Sequence, residues 1–189
     1  MPATVNTGCA ITLTNKGAEV TTRIYVISDT HFGHTNSWAK FKLADGCTPM
    51  RPFTSTEEMD ETMVARWNET VRPQDHVYHL GDVAIAKRSL AIVKRLNGHK
   101  RLVRGNHDIF KTRDYLEVGF DEIYGVRVWP GQNIIMSHIP LHPDSLKGRQ
   151  WKNMHGHLHA NKVVGEDAHL YQCVSVEHTD YRPILAFEN

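Results

Sequence analysis

Five short polar clusters in this chain carry side chains of the kind that hold divalent cations. They are Asp29-x-His31, Gly81-Asp82, Gly105-Asn106-His107-Asp108, Ser137-His138 and Gly156-His157-Leu158-His159. Carboxylate oxygen, amide oxygen and imidazole nitrogen make a mixed N/O set that suits Mn, Fe, Zn, Co or Ni, with no thiolate contribution. Seven such donors, Asp29, His31, Asp82, Asn106, His138, His157 and His159, exceed the needs of one four-coordinate ion. They suit two ions about 3.5 to 4 Å apart that share a carboxylate and leave positions for water and substrate. Donors at i and i+2, as in Asp29-x-His31 and His157-x-His159, point the same way in extended backbone, so one short segment presents both. Glycines at 81, 105 and 156 let the chain bend sharply or approach the ions closely. A single histidine beside a strand is more often a hydrogen-bonded structural residue, so the joint pattern carries the reading.

Each cluster must be delivered by an element, and the chain supplies an apolar run before each. Residues 23–28 read as a strand buried on both faces, followed by a polar loop at 29–36. Residues 76–80 and 101–104 read as further strands that end in the second and third clusters. Residues 54–71 switch to helical spacing, with Ser55-x-x-Glu58 as a capping box and Met59, Met63 and Trp67 on one core-facing side. Residues 90–96 read as a second helix closed by Asn97-Gly98. The later chain is strand-rich, at 124–129, 133–136, 154–155, 170–176 and 183–187. Alternating strands and helices followed by strands predict an α/β or α+β layered sandwich with helices covering sheets. In open sheets ligands gather beyond the carboxyl ends of strands, where clusters distant in sequence converge.

The 189 residues, 40% hydrophobic, are the size of one domain spanning 1–189, with residues 1–22 as an edge hairpin or tail. Lys plus Arg number 22 against 21 Asp plus Glu, so net charge gives no pull toward nucleic acid or membrane. Cys9, Cys47 and Cys173 are odd in number and form no C-x-x-C pair, which argues against disulfides or a thiolate zinc site and for a reducing compartment. No leader pattern and no apolar run near the roughly 20 residues of a membrane span is present, so a cytoplasmic location is expected.

Taken in order, the clusters resemble the signature of the calcineurin-like metallophosphoesterase superfamily, D-x-H, G-D, G-N-H-[DE], H and G-H-x-H, complete here between residues 23 and about 160. The resemblance implies a four-layer αββα sandwich of two mixed sheets flanked by helices. It implies that Asp29, His31 and His159 hold one ion, that Asn106, His138 and His157 hold another, and that Asp82 bridges. Two such cations lower the pKa of a shared water so that hydroxide attacks phosphorus near neutral pH, and they neutralise the phosphate oxygens. Manganese is the expected metal, with Fe, Zn, Ni or Co as alternatives. His107 would contact the phosphate or protonate the leaving oxygen, with Asp108 to orient it. His34, three residues beyond His31, is either a substrate contact or a surface loop histidine, and His142 is treated alike. His76, His79, His99, His155, His169 and His178 are read as structural.

The protein Ser/Thr phosphatases of this superfamily extend the second motif to G-D-x-x-D-R-G, whereas here it runs Gly81-Asp82-Val83-Ala84-Ile85-Ala86-Lys87. That departure argues against phosphoprotein substrates and toward the small bacterial and phage-type members. A phosphodiesterase on small nucleotide or cyclic-nucleotide diesters is expected, with a phosphomonoesterase or a nuclease on short single strands as alternatives. Only 30 residues follow His159, which argues against a long duplex. Arg101, Arg104, Lys111 and Arg113 flank the third cluster, either to steer an anion or as ordinary strand-edge charges. A non-catalytic scaffold of the same fold should show replaced ligands, and none of the seven is replaced. No membrane partner is expected, and the oligomeric state is left open.

Overall fold

The apolar run at the start of the described chain forms β1 (Ile24–Ile27), and its alternation decides which layers it joins. Tyr25 and Ile27 face one side and pack among Met59, Met63 and Trp67, while Val26 faces the other and packs with Met136, Met154 and Val174. Both faces of the strand are therefore covered. The computed structural model describes residues 21–187. All but residues 21 and 22 of the expected terminal hairpin or tail lie outside that range.

β1 pairs in parallel with β2 (His76–His79), β2 with β3 (His99–Val103), and β3 with β4 (Phe120–Tyr124), while β9 (Ile184–Leu185) closes the other edge antiparallel to β1. The order is β4-β3-β2-β1-β9. Ile27 lies opposite His79, and His79 opposite Leu102, so these strands release their loops close together at one end. The second sheet has the order β5-β6-β7-β8, with β5 (Arg127–Trp129) antiparallel to β6 (Ile134–Ser137), and β7 (Lys152–His155) and β8 (Tyr171–Cys173) parallel to it. Ser137, His155 and Cys173 stand in register at its end. The two sheets meet there through Ser28, which accepts from Val176 N at 3.1 Å and donates its own N–H to Val174 O at 3.0 Å.

Helices cover the outer faces. α1 (Asn36–Ala39) is one short turn after the first loop, and α2 (Thr56–Thr70) lies on the first sheet with Met59, Met63 and Trp67 fully buried, as the four-residue spacing predicts. Ser55 caps α2 by accepting from Glu58 N at 3.0 Å, and the Glu58 carboxylate reaches Thr54 N at 2.8 Å, one residue beyond the ideal box. α3 (Thr112–Glu117) precedes β4, and α4 (Asp144–Lys147), with Leu146 buried against Ile135 and Leu170, covers the second sheet. The result is the αββα sandwich of two mixed sheets.

Several boundaries differ from expectation. The expected strand 124–129 is two strands in different sheets, because the chain leaves the first sheet after Tyr124 and enters the second at Arg127; alternation alone does not say which sheet a residue joins. The expected helix 90–96 is a longer 3₁₀ segment, Lys87–Arg95. The expected strand 170–176 shortens to β8, flanked by 3₁₀ turns at Glu166–Leu170 and Val176–His178. Among the described residues no helix is long and apolar enough to cross a membrane.

Candidate metal centre

All five clusters emerge at the carboxyl ends of strands. Asp29 and His31 follow β1, Asp82 follows β2, Asn106 and His107 follow β3, His138 follows β6, and His157 and His159 follow β7. Asp29, His31, Asp82 and His138 are buried, whereas Asn106 and His157 face solvent. Asp82 Oδ2 lies 3.5 Å from both His31 Nε2 and His138 Nε2. Asn106 Oδ1 lies 2.9 Å from His138 Nε2 and 3.0 Å from His157 Nδ1. Asp29 Oδ1 lies 3.9 Å from His31 Nε2 and 4.0 Å from His159 Nε2. Two groups of donor atoms, Asp29/His31/His159 and Asp29/Asp82/His138, each fall within a 4.8 Å span.

The local backbone is bent to make this convergence. Asp29, His31, Asp82, His157 and His159 all adopt left-handed φ, between 46° and 69°, which side chains other than glycine adopt at a cost. Gly81, with φ 96°, passes so close to the third loop that a Cβ there would stand 2.6 Å from Gly105 N and 2.7 Å from His138 Nδ1. A Cβ on Gly156 would occupy the space of Ser28 Oγ and Asp29 Oδ2. These glycines let one loop lie against another.

The hydrogen bonds around the donors leave their inner atoms free. Asp29 Oδ2 accepts from His157 N at 2.9 Å and Ser175 Oγ at 2.8 Å, yet its Oδ1 is buried and accepts nothing. His31 Nε2 is likewise buried without a partner. His138 Nδ1 donates to Leu80 O at 2.8 Å, so in the neutral ring Nε2 turns a lone pair toward the oxygens of Asn106 and Asp82. Lone pairs facing lone pairs in a buried place are unfavourable, and a cation resolves the conflict. The donor set therefore fits divalent metal.

Charge states agree with that arrangement. Burial, then the Arg51 charge, lowers the His31 ring well below the usual histidine value, keeping it neutral. Burial pushes Asp82 up, but the hydrogen bond and charge of His138, the His107 N–H and His31 outweigh it and hold the carboxyl at about 2. Burial raises Asp29 despite His159 and His138 nearby. His138 is raised, burial being outweighed by Asp82 and Asp29.

Of the residues expected around the donors, His107 and His34 are brought to the site. Their rings lie 5.5 Å from that of His31, and both line a cavity of about 310 Å³ with Phe41, Met50 and Ile85. A second cavity of about 400 Å³ opens on the other side, lined by Arg104, Asn106, His138 and Ile139 among others. His142 is exposed beside Asp144. Asp108 does not orient the His107 ring as expected: its carboxylate accepts from Asp82 N at 2.7 Å, Gly105 N at 2.8 Å and Val83 N at 3.0 Å, which locks the second loop to the third. Arg101 pairs with Glu122 and His76 rather than with the site. His79 is structural, as read, accepting from Gly81 N and bonding Thr30 Oγ1 behind the loops. Sequence reasoning missed Ser175, Glu177 and Arg51. Glu177 Oε1 accepts from His159 Nδ1 at 3.2 Å and from Arg51 Nε at 2.8 Å, in a region with no motif to mark it.

A sequence model of the calcineurin-like phosphoesterase superfamily domain matches residues 22–172. An uncharacterized protein of Methanocaldococcus jannaschii is 34% identical over 171 residues, covering 86% of each chain. The Gene 66 protein of Mycobacterium phage L5 is 25% identical over 178 residues, covering 77% of this chain and 81% of its own. The crystal structure of a protein of unknown function from Aquifex aeolicus superposes with a TM-score of 0.59 at 28% identity, covering 87% of this chain and 95% of that one. With the five loops meeting as they do and these likenesses spanning most of its length, the chain belongs to the calcineurin-like phosphoesterase superfamily.

Proposed function

We propose that this chain is a divalent-metal-dependent phosphodiesterase for small nucleotide-type diesters, with manganese the metal to try first. The observation that carries the reading is a donor cluster with room on two sides, about 310 Å³ beyond His31 and about 400 Å³ beyond His138. A monoester needs space for one substituent, and a diester needs space for two. In this reading Asp29, His31 and His159 would hold one ion, Asn106, His138 and His157 would hold another, and Asp82 would serve both. Bound divalent cations would lower the pKa of a coordinated water and offset charge on the phosphate.

The chain's own residues do the rest. His107 is pinned through its backbone N–H, which donates to Asp82 Oδ1 at 2.8 Å, and its exposed ring lines the first cavity, where it delivers a proton to the leaving oxygen. His34 lines the same cavity and orients the leaving group there. Phe41 and Met50 give that cavity an apolar wall for a base or aryl group. A second reading, a nuclease on short single strands, is favoured by Arg104, which lines the opposite cavity, makes one 3.3 Å bond to Thr112 Oγ1 and has no carboxylate partner among the described residues. A phosphate next to the scissile one would pair with it.

The test is hydrolysis of bis-p-nitrophenyl phosphate beside p-nitrophenyl phosphate, after chelation and reconstitution with Mn²⁺, Ni²⁺, Zn²⁺ or Fe²⁺ in turn. Turnover of the diester with at least one metal is expected. Turnover of the monoester alone would point to a phosphatase instead, and silence with every metal would sink the enzymatic reading.

A further inference from the structure

Arg51 is a fully buried arginine more than twenty residues from any of the five motifs apart from the first, and nothing in the proposed chemistry uses it. Burying a guanidinium is costly unless its donors are satisfied, so what it bonds to indicates why it is kept. One terminal nitrogen donates to Asp29 O at 2.6 Å and the other to Thr30 O at 2.9 Å, the carbonyls at the left-handed bend that presents Asp29 and His31. Its Nε donates to Glu177 Oε1 at 2.8 Å. Glu177 is itself buried and turns the same oxygen to His159 Nδ1 at 3.2 Å.

A carboxylate paired to arginine can only accept, so the His159 proton sits on Nδ1 and the lone pair sits on Nε2. That lone pair faces Asp29 Oδ1, 4.0 Å away, the buried oxygen that no hydrogen bond uses. Arg51 thus reaches all three donors of one group at once: Asp29 and His31 through the backbone that bears them, and His159 through Glu177. Among the described residues the donors beyond Asp82, namely Asn106, His138 and His157, make no bond to Arg51 or Glu177: Leu80 O holds the His138 ring, Asn106 Oδ1 meets the rings of His138 and His157, and the one link to the first group is the His157 backbone N–H to Asp29 Oδ2.

Resting on the two-ion reading above, we infer that Arg51 and Glu177 are positioning residues for one ion only, the one held by Asp29, His31 and His159. Their loss converts a two-ion centre into a one-ion centre. Loss of a residue that holds a metal ligand in place commonly changes metal affinity by about 10-fold to 100-fold. The effect should fall on one of two binding events and spare the other.

The experiment is calorimetric titration of chelator-stripped full-length protein with Mn²⁺, with electron paramagnetic resonance of the loaded samples. Wild type is expected to bind two ions and to show the spin-coupled spectrum of a Mn pair. E177Q keeps the shape of the side chain and the oxygen that Arg51 and His159 share, so its fold should be retained, which thermal melting checks, but it removes the negative charge that makes the His159 ring a stronger donor to metal. It should bind one ion as wild type does and the other about 10-fold to 100-fold more weakly, with the six-line spectrum of isolated Mn²⁺ at two equivalents. H159A and the double variant E177Q/H159A should bind alike, since the carboxylate acts through the ring. Two ions bound to folded E177Q with wild-type affinity and a coupled spectrum would overturn the inference while leaving the proposed function standing. Equal weakening of both ions would also overturn it, and wild type that binds fewer than two ions would overturn both.

Discussion

At the residue scale, the donor atoms are the most legible part of the molecule and their supports the least. Asp29, His31, Asp82, Asn106, His138, His157 and His159 stand out because each sits at a fixed short spacing within a polar cluster after an apolar run. His107 belongs to the same cluster as Asn106 but has a different bond pattern: its backbone is fixed by Asp82 and its ring is free to face the cavity. His107→Ala should lower kcat about 10²-fold to 10⁴-fold, as loss of a general acid does, with metal content by atomic emission unchanged. Loss of an ion in that variant would make the ring a ligand. Arg51 and Glu177 escape a sequence reading because their contact spans 126 positions and neither lies in a repeated spacing. The role expected of Asp108 fails for a related reason: adjacency to His107 in sequence suggested a side-chain partner, whereas a carboxylate in a loop finds backbone N–H groups first.

At the element scale, strands that feed the site were readable from apolar runs, and α2 from its four-residue spacing, because burial on defined faces writes a period into the chain. α1, α3 and α4, of 4, 6 and 4 residues, are too short to show one. The split between β4 and β5 was hidden since both halves keep strand-like residues. What secures the entry to β1 and β2 is Asp75, fully buried in the turn after α2. It accepts from Arg23 N at 3.0 Å, from Arg72 N at 2.9 Å and from the Arg72 guanidinium at 2.8 and 3.0 Å. Burial pushes its carboxyl up, but these donors outweigh it and hold it at about 2, below the ordinary 3.8. Because the folded value is depressed, the stabilisation, about 2 kcal/mol, is present above pH 4 and disappears as pH falls through 4 toward 2. Urea unfolding between pH 2 and 5 should show this slope in the wild type and a shallower one in Asp75→Asn; identical slopes would remove Asp75 from that role.

At the scale of the whole molecule, the donors come from both sheets, three loops from the first and two from the second, and those sheets meet in backbone bonds at Ser28. A cation bound across them would therefore add a further tie between layers that already meet through a shared core and through the bonds at Ser28 and Asp29. A ligand at 100 times its dissociation constant adds about 2.7 kcal/mol, which for a chain of this size raises the melting temperature by about 5 to 10 °C. Scanning calorimetry with excess Mn²⁺ against excess chelator should show that difference, and coincident melts would mean that no ion joins the sheets. The five left-handed donors described above have a further consequence in descent. At about 1 to 3 kcal/mol each, their strain is comparable with the whole net stability of an ordinary domain. A lineage that stopped using the metal would gain robustness by drifting to glycine or asparagine at 29, 31, 82, 157 and 159. The identity of those five positions in any descendant then serves as a record of whether catalysis is still under selection.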